Sequence, residues 1–592
     1  MCDSRGCQSA SIENSETNTR VRFIPSHPHV LDSLLSFCRF SAFRKRLLNT
    51  NRSCGLYRIS LGVLILAMVG LSPSSFAQTP TAENSRCKEL AQADFASVQD
   101  APSQIVRAEL VQRSSEHAAY CRVEGYVAPN VGFEMWLPTR GWNGKFLEIG
   151  CGGYCGHSFL ADWELGCGRP LSKGYACIAS DMGHQGRGDD AVWALNNLQA
   201  EVDYGFRATH VTALIGKAIT ERFYSTGPRK SYYTGCSTGG RQGLVEAQRF
   251  PWDFDGIVAG APAINLSATL LNILWASLAI EGRDGKPILS QADLLLLHNA
   301  ALAQCDMDDG LKDGIISNPQ ACRFDPEQLV CGGATKTNCL SAEQAEAAKK
   351  IYAGPTTSSG KQIFTSGSMP GAELEFLSYA GGSSFSRDFF RFLAFMPDAG
   401  PGWERRDFDF DRDYKRLGMV ESLYGGTDPD LRRFKANGGK LILYHGWADA
   451  GGGGIAPLKT VDYYETVERA MGGRSATREF LRFFMIPGMG HCSGGSGPND
   501  FDYLSYLEHW IEDGRAPDKI VGTHIDIDRF VHAHENDTNP DQEKLEAELR
   551  AYMQDPGNRT FSRPVYLYPA YAKFKGGGDP NSEGSFVASD GK

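Results

Sequence analysis

Nowhere in its 592 residues does the chain carry an apolar run of the roughly 20 residues that a membrane-spanning helix needs. It also lacks any long basic run in its body, and its 60 Lys and Arg stand against 70 Asp and Glu, a net charge of −10. Phosphate backbones are bound by clustered Lys and Arg, so this balance argues against nucleic acid as the main partner. No internal repeat is present, which removes solenoids and propellers. What the chain does have is 42% apolar residues, ample for a core, and 16 cysteines, far more than a cytosolic enzyme needs. At about 150 residues per domain the length suggests roughly three to four domains, a count that one enlarged α/β domain with an insertion also meets.

The strongly apolar stretch that is present, Ile59 to Leu71, covers 13 residues and reads as a signal-peptide core. Arg52 and Arg58 supply its positive flank, and Ser75 and Ala77 put small residues at −3 and −1 of a cleavage after Ala77. The alternative, a short buried helix, has no folded-looking flank on either side. Residues upstream of about Arg44 make a long n-region, which a start codon assigned too early would explain. Residues 1–77 are thus expected to be leader and signal peptide, leaving a secreted or periplasmic protein with no membrane span. Cys2, Cys7, Cys38 and Cys54 go with the leader, and the 12 cysteines that remain are an even number, as a disulfide framework requires. Zinc is the other reading of the spacing Cys151, Cys155, Cys167, but His157 is the single histidine near them at metal spacing.

From about Phe133 short apolar runs alternate with helical patterns. FEMWLP, GKFLEIG, YACIASD, KSYYTG, DGIVAGAPA, KLILYHG and EFLRFFMIPG look like buried strands, while Ala208, Val211, Leu214, Ile215 and Ala218 recur at helical spacing. This is the βαβ alternation of a mostly parallel sheet covered on both faces, an α/β fold. Roughly 180 residues separate the strand ending near Gly260 from the one starting at Lys440, far beyond an ordinary crossover. An inserted subdomain must fill that gap, with helices expected over Gln291 to Gln304 and Ser341 to Tyr352. The division expected is 78–265 and 436–592 for the α/β unit and 266–435 for the insertion.

Gly235-Cys236-Ser237-Thr238-Gly239 follows one of these strands and precedes a helical pattern over Gln242 to Phe250. A GxSxG in that setting is a nucleophile elbow: the chain turns so sharply that the hydroxyl stands proud, and small flanking residues let it pass without clashes. Serine is a weak nucleophile until a base takes its proton, so an Asp and a His should follow at later strand ends. Asp449 ends the run LILYHGWAD as the orienting acid, and His491 follows FFMIPGMG as the base. His184 and His445 also follow strands, but neither is preceded by a carboxylate loop in the required order, and both read as structural hydrogen-bonding residues. Cys236 adjoins the nucleophile and Cys492 the base, which predicts a bridge between them. The amide of Thr238 is the expected first oxyanion donor, and the loop Gly150-Cys151-Gly152-Gly153 offers the second through Gly152 or Gly153.

GCSTGGR at 235–241, HGWAD at 445–449 and GMGHC at 488–492 resemble the tannase and feruloyl esterase family, as do WNGKFLEIG at 142–150, FDGIVAGAPA at 254–263, MPGAE at 369–373 and FDFDRD at 408–413. The resemblance covers most of the mature chain. It implies an α/β-hydrolase fold with a large lid domain inserted after the sixth strand, a Ser237, Asp449, His491 triad, and the Cys236–Cys492 bridge. It also implies esters of aromatic acids as small-molecule substrates, feruloyl esters first, with galloyl esters or mono(2-hydroxyethyl) terephthalate as alternatives. Further bridges implied are Cys305–Cys322, Cys331–Cys339 and Cys87–Cys121, while the partners of Cys151, Cys155, Cys167 and Cys177 stay open.

The loop from Cys305 to Ile315 is rich in hard oxygen ligands but lacks the EF-hand pattern, since Gly310 and Ser317 stand where carboxylates belong. The resemblance makes it a structural Ca²⁺ site in the lid, with carboxylates from Asp306, Asp309 and Asp313 and backbone carbonyls from Leu311 and Ile315. A solvated acidic turn is the bland alternative. Aromatic residues around Phe385 to Phe395 are expected to form the acid-binding wall, with Arg387 or Arg391 meeting a substrate carboxylate. Two departures from the family stand out: Tyr566 and the segment 586–588 lack a late cysteine pair, and Gly451 to Gly454 replaces an apolar, Pro-ended loop. A calcium-stabilised binding protein without turnover would show a broken triad or elbow, and here all parts are present. Nothing in the residues speaks to oligomeric state.

Overall fold

A computed structural model describes residues 82–113, 117–162, 166–332, 337–365, 367–534 and 542–590. The leader and cleavage site expected within residues 1–77 lie outside the described residues. Nine strands form one sheet: β1 (Ser103–Val111), β2 (Tyr120–Val127), β3 (Val131–Pro138), β4 (Lys145–Ile149), β5 (Ala176–Ser180), β6 (Lys230–Cys236), β7 (Gly256–Gly260), β8 (Lys440–Gly446) and β9 (Leu481–Ile486). Their order across it is β1-β2-β3-β5-β4-β6-β7-β8-β9. Pairs from β1 to β5 are antiparallel, and every pair from β5 on through β9 is parallel.

The seven apolar runs become β3 to β9. All residues of β5 and β7 are buried, as befits parallel strands covered on both faces. Helices α1 (Ala208–Tyr224) and α2 (Thr238–Arg249) precede the insertion, α3 (Leu266–Ala279), α4 (Gln291–Cys305), α5 (Ala342–Ala353) and α6 (Ser384–Phe392) lie within it, and α7 (Pro457–Ala470) and α8 (Tyr503–Asp513) follow. Alternate strand residues feed two cores. Phe146, Ile178, Tyr233 and Leu443 pack with Val211 and Ile215 of α1, Leu244 of α2 and Val461 of α7. Leu147, Cys177, Tyr232 and Ile442 pack with Leu507 and Trp510 of α8. Burying a side chain such as Leu507 contributes roughly 1.5–3 kcal/mol. A Cβ on Gly256 of β7 would come within 2.9 Å of Leu507 Cδ2, so a larger residue there would push α8 off the sheet.

Between β7 and β8 the chain adds no strand to the sheet. Its two anticipated helices, α4 and α5, start where capping boxes put them, Ser290 with Asp293 and Ser341 with Gln344. The insertion follows β7; β1 is an added antiparallel edge strand, and counted from β2 the insertion follows the sixth strand, as the resemblance implies. The strands ahead of β3 were not singled out in the sequence, and β1 is half-exposed over most of its length, so its alternation is weak. No helix among the described residues is long and apolar enough to cross a membrane.

The 12 cysteines form Cys87–Cys121, Cys151–Cys155, Cys167–Cys177, Cys236–Cys492, Cys305–Cys322 and Cys331–Cys339. The two pairings left open are thereby settled, and no thiolate remains at Cys151, Cys155 or Cys167 for zinc. In the tail, β10 (Lys519–Ile525) pairs with β11 (Arg559–Tyr566), and β12 (Ala572–Phe574) with β13 (Phe586–Ala588). In this tail Arg563 lies over the rings of Phe561 and Phe586, at 4.7 and 4.3 Å.

Candidate active site

β6 hands directly into α2 through Ser237, whose backbone sits at φ 62°, ψ −121°. A non-glycine residue there stores about 1–3 kcal/mol of strain, and the surroundings must over-determine it. They do: Ser237 N–H donates to Gly260 O at 3.0 Å, and Ser237 O accepts from Arg241 N and Ala263 N at 3.1 Å each. A Cβ on Gly235 would lie 2.7 Å from Gly239 carbonyl atoms, which is why small residues flank the serine. Arg241, fully buried one turn on, donates to the carbonyls of Tyr204, Gly205 and Tyr424, pinning α2 to the elements around it.

Against the elbow lies the glycine loop after β4. Thr238 Oγ1 donates to Gly153 O at 2.6 Å, Cys155 N to Gly152 O at 2.9 Å, and Cys151 N to Gln242 Oε1 at 3.3 Å. The three candidate oxyanion residues, Thr238, Gly152 and Gly153, are thus brought together, and the Cys151–Cys155 bridge closes their loop. Gly153 has φ 57° and would drive any Cβ into Gly188 O.

Asp449, in the loop after β8, is completely buried. Its Oδ2 faces His491 Nδ1 at 2.7 Å and His445 Nε2 at 2.9 Å, and its Oδ1 accepts from Ile455 N–H at 2.8 Å. Burial alone would push its pKa up; the charge of His491 and the hydrogen bonds from both histidines outweigh that and hold the carboxyl below its ordinary value. An ionised Oδ2 keeps the proton of His491 on Nδ1 and leaves Nε2 with its lone pair. The Cys236–Cys492 bridge, with Cα atoms 5.9 Å apart, joins the residue before Ser237 to the residue after His491. Closing a loop of 256 residues, it contributes at most roughly 5 kcal/mol in the chain-entropy picture.

His445 is a hydrogen-bonding residue as expected, but one of its partners is the candidate acid Asp449, which sequence reasoning did not foresee. The signal was its four-residue distance from Asp449. His184 is structural as expected: its Nε2 meets Tyr154 O at 2.7 Å, its ring stacks on Trp193 at 3.8 Å, and burial lowers its pKa to about 4.

The glycine run Gly451 to Gly454 is a docking surface for the insertion. Gly452 N–H donates to Ser378 Oγ at 2.9 Å, and a Cβ on Gly451, at φ 92°, would overlap that oxygen. Of the expected aromatic wall, Phe385 alone reaches the site: Cβ atoms on Gly153 and Gly453 would lie 2.9 and 3.7 Å from its ring. Phe389, Phe390, Phe392 and Phe395 are buried within the insertion, Phe390 against Trp403 at 5.0 Å. Arg391 donates to Trp403 O and Glu404, and Arg387 pairs with Asp388 at 2.8 Å.

In the acidic loop Asp306 and Asp309 are buried. Asp306 accepts from Asp313 N and Gly314 N, Asp309 from Leu311 N and Ser317 Oγ, and Asp313 from Ile315 N and Arg563. Three carboxylates face one guanidinium, and Asp309 is pushed up to about 6 by burial, with Asp313 and Asp306 adding to the rise. The loop's donors are all oxygen and its charge is net negative, the chemistry a hard dication takes, but Asp306, Asp309 and Asp313 do not bring one carboxylate oxygen each within 4.8 Å of one another. Among the described residues, His210, Glu246 and Asp253 are the group that brings three ligand atoms within 4.8 Å of one another. There His210 Nδ1 and Asp253 Oδ2 are already in direct contact at 2.5 Å, a proton-linked pair.

A strained serine at a strand-to-helix turn, an Asp–His pair at the ends of β8 and β9, and this sheet order define a carboxylic ester hydrolase of the α/β-hydrolase fold. The sequence profile of the family described as tannase and feruloyl esterase matches residues 114–386 and 401–588, and the chain belongs to that family. It is 33% identical over 546 residues to the mono(2-hydroxyethyl) terephthalate hydrolase of Piscinibacter sakaiensis, covering 79% of this chain and 84% of that one. It is 35% identical over 452 residues to a probable feruloyl esterase B-2 of Aspergillus flavus, covering 71% and 81%. The crystal structure of feruloyl esterase B from Aspergillus oryzae superposes with a TM-score of 0.72 at 25% identity, covering 86% of this chain and all of that one.

Proposed function

We propose that the protein is an exported serine esterase that cleaves esters of aromatic or phenolic acids, feruloyl-type esters first, through an acyl-enzyme. The observation that carries this reading is the buried Asp449 meeting His491 Nδ1 at 2.7 Å while the Cys236–Cys492 bridge joins the residue before Ser237 to the residue after His491. In this scheme Ser237 Oγ attacks the ester carbonyl as His491 Nε2 takes its proton. The amides of Thr238 and Gly152 receive the developing oxyanion, with Gly153 shaping the loop. Collapse expels the alcohol, protonated by His491, and water repeats the sequence on the acyl-enzyme to release the acid and restore Ser237.

Aromatic acids are favoured by the ring of Phe385 over the glycine loop and by the activities named in the relatives. Galloyl esters and mono(2-hydroxyethyl) terephthalate are the alternatives. Residues 266–435 act as the lid. A Ca²⁺ ion would be held by Asp306, Asp309 and Asp313 with the carbonyls of Leu311 and Ile315, where it supplies charge balance rather than chemistry. Six disulfides support an oxidising compartment, secreted or periplasmic.

Hydrolysis of methyl ferulate, methyl gallate and mono(2-hydroxyethyl) terephthalate should rank in that order and drop by at least about 10³-fold in Ser237→Ala. Turnover surviving in that variant would sink the mechanism, and no turnover of any aromatic ester would favour a binding protein.

A further inference from the structure

Two histidines, not one, converge on Asp449 Oδ2. His445 is fully buried at the end of β8, its Nε2 lying 2.9 Å from Asp449 Oδ2 and 3.1 Å from Ile455 O. Neither of those atoms can donate, so Nε2 must carry the proton. Its other nitrogen, Nδ1, lies 2.8 Å from Oγ1 of Thr460, a fully buried residue of α7. A neutral imidazole protonated on Nε2 has a bare lone pair on Nδ1, which the Thr460 hydroxyl fills by donating.

We propose that Thr460 and His445 form a positioning relay for the catalytic acid: the Thr460 hydroxyl selects the Nε2–H tautomer of His445, and His445 in turn orients Asp449 and keeps it ionised for His491. The inference rests on the triad reading above. Its physical content is a count of donors. A carboxylate with no water around it stays charged only if its lone pairs are filled, and Asp449 receives three donors: His491, His445 and Ile455 N–H. Neutrality of His445 matters as well. A second imidazolium at Oδ2 would compete for the negative charge that stabilises protonated His491 in the transition state. The opposite tautomer would turn a lone pair toward two oxygens and rotate the carboxylate away.

The titratable groups facing Asp449 are His445 from β8, His491 from the loop after β9, and Tyr379 from the insertion. Tyr379 is held above its ordinary value chiefly by burial and stays neutral through the working range. Loss of the relay would therefore move the acid limb of activity through His491, whose protonated form Asp449 stabilises.

Thr460→Val is nearly isosteric and removes only the donor. With methyl ferulate as probe, kcat is expected to fall up to about tenfold at near-constant KM, matching the loss of one ordering hydrogen bond between neutral groups. The acid limb of the kcat profile, set by protonation of His491, should move to lower pH, because the imidazolium loses part of its stabilisation by Asp449, and Thr460→Ser should recover most of kcat. His445→Gln, which can still donate near the Nε2 position, should fall between wild type and His445→Leu. Thr460→Val with unchanged kcat and acid limb, or a loss that Thr460→Ser does not repair, would overturn the relay. Ser237→Ala run alongside separates the two ideas: activity in that variant breaks the triad reading, whereas an inert Ser237→Ala with an unaffected Thr460→Val breaks the relay alone.

Discussion

The two halves of the proposed catalytic machinery are built on different principles. The nucleophile side is local: seven consecutive residues, Gly235 to Arg241, set strand, turn and helix, and the hydrogen bonds that hold Ser237 come from its own turn and from Gly260 and Ala263 next door. The acid–base side is assembled from afar. Asp449 and His491 stand 42 residues apart and depend on His445, Thr460, the Cys236–Cys492 bridge and a lid hydroxyl at Ser378. A strained turn can be specified by small residues at fixed spacing, whereas a buried carboxylate must be surrounded by donors, and donors come from wherever the fold brings them.

This contrast can be broken at graded points. Replacing both bridge cysteines, Cys236→Ser with Cys492→Ser, should have the largest effect. It is expected to cut kcat about ten- to a hundredfold and cost up to several kcal/mol of stability, read by steady-state kinetics and thermal melting. Retained kcat in a folded variant would mean that the hydrogen bonds at Asp449 suffice to hold His491.

Calcium removal should act next, on stability more than on chemistry. Asp309 has a folded pKa raised to about 6, so between about pH 4 and 6 the fold binds a proton that the unfolded chain has released. Stability of the calcium-free protein should therefore fall as pH rises through that window, by at most about 2–3 kcal/mol. Ca²⁺ favours the ionised form and should abolish or reverse that slope. Melting curves with Ca²⁺ and with a chelator, at pH 4 and pH 6, would check it, and identical slopes would remove the ion from this loop.

Ser378→Ala should have the smallest effect. It deletes the hydrogen bond to Gly452, worth about 0.5–1.5 kcal/mol, and should lower kcat two- to fivefold while leaving Ser237 geometry untouched. A loss as large as that of the bridge variant would mean that the lid, rather than the bridge, positions the acid loop.

Much of the sheet was legible because β4 to β9 are short, largely apolar runs, as strands buried on both faces must be, while β3 alternates buried with half-buried residues. β1 escaped notice because it is half-exposed along an edge, where periodicity blurs. Within the lid, Phe389 and Phe390 look like Phe385 in composition, yet they fill the lid's own core while Phe385 faces the glycine loop. No local signal distinguishes the two roles, because helical spacing sets which residues share a face and not what that face meets. The glycine run at 451–454 stood out only as a departure from the family, because its use in close approach to Ser378 lies in a partner 74 residues away.

By itself the sequence determined the α/β alternation, the elbow with Ser237 at its turn, the order in which Asp449 and His491 follow, and the even set of cysteines that fit an oxidising compartment. Those depend on neighbours along the chain and on residue chemistry. Only the tertiary structure decided that Cys151 pairs with Cys155, that the insertion buttresses the acid loop, and that His445 and Thr460 stand behind Asp449. Each of these is a contact whose energy comes from burial and hydrogen bonding between segments that the fold alone makes adjacent, so no spacing along the chain encodes it.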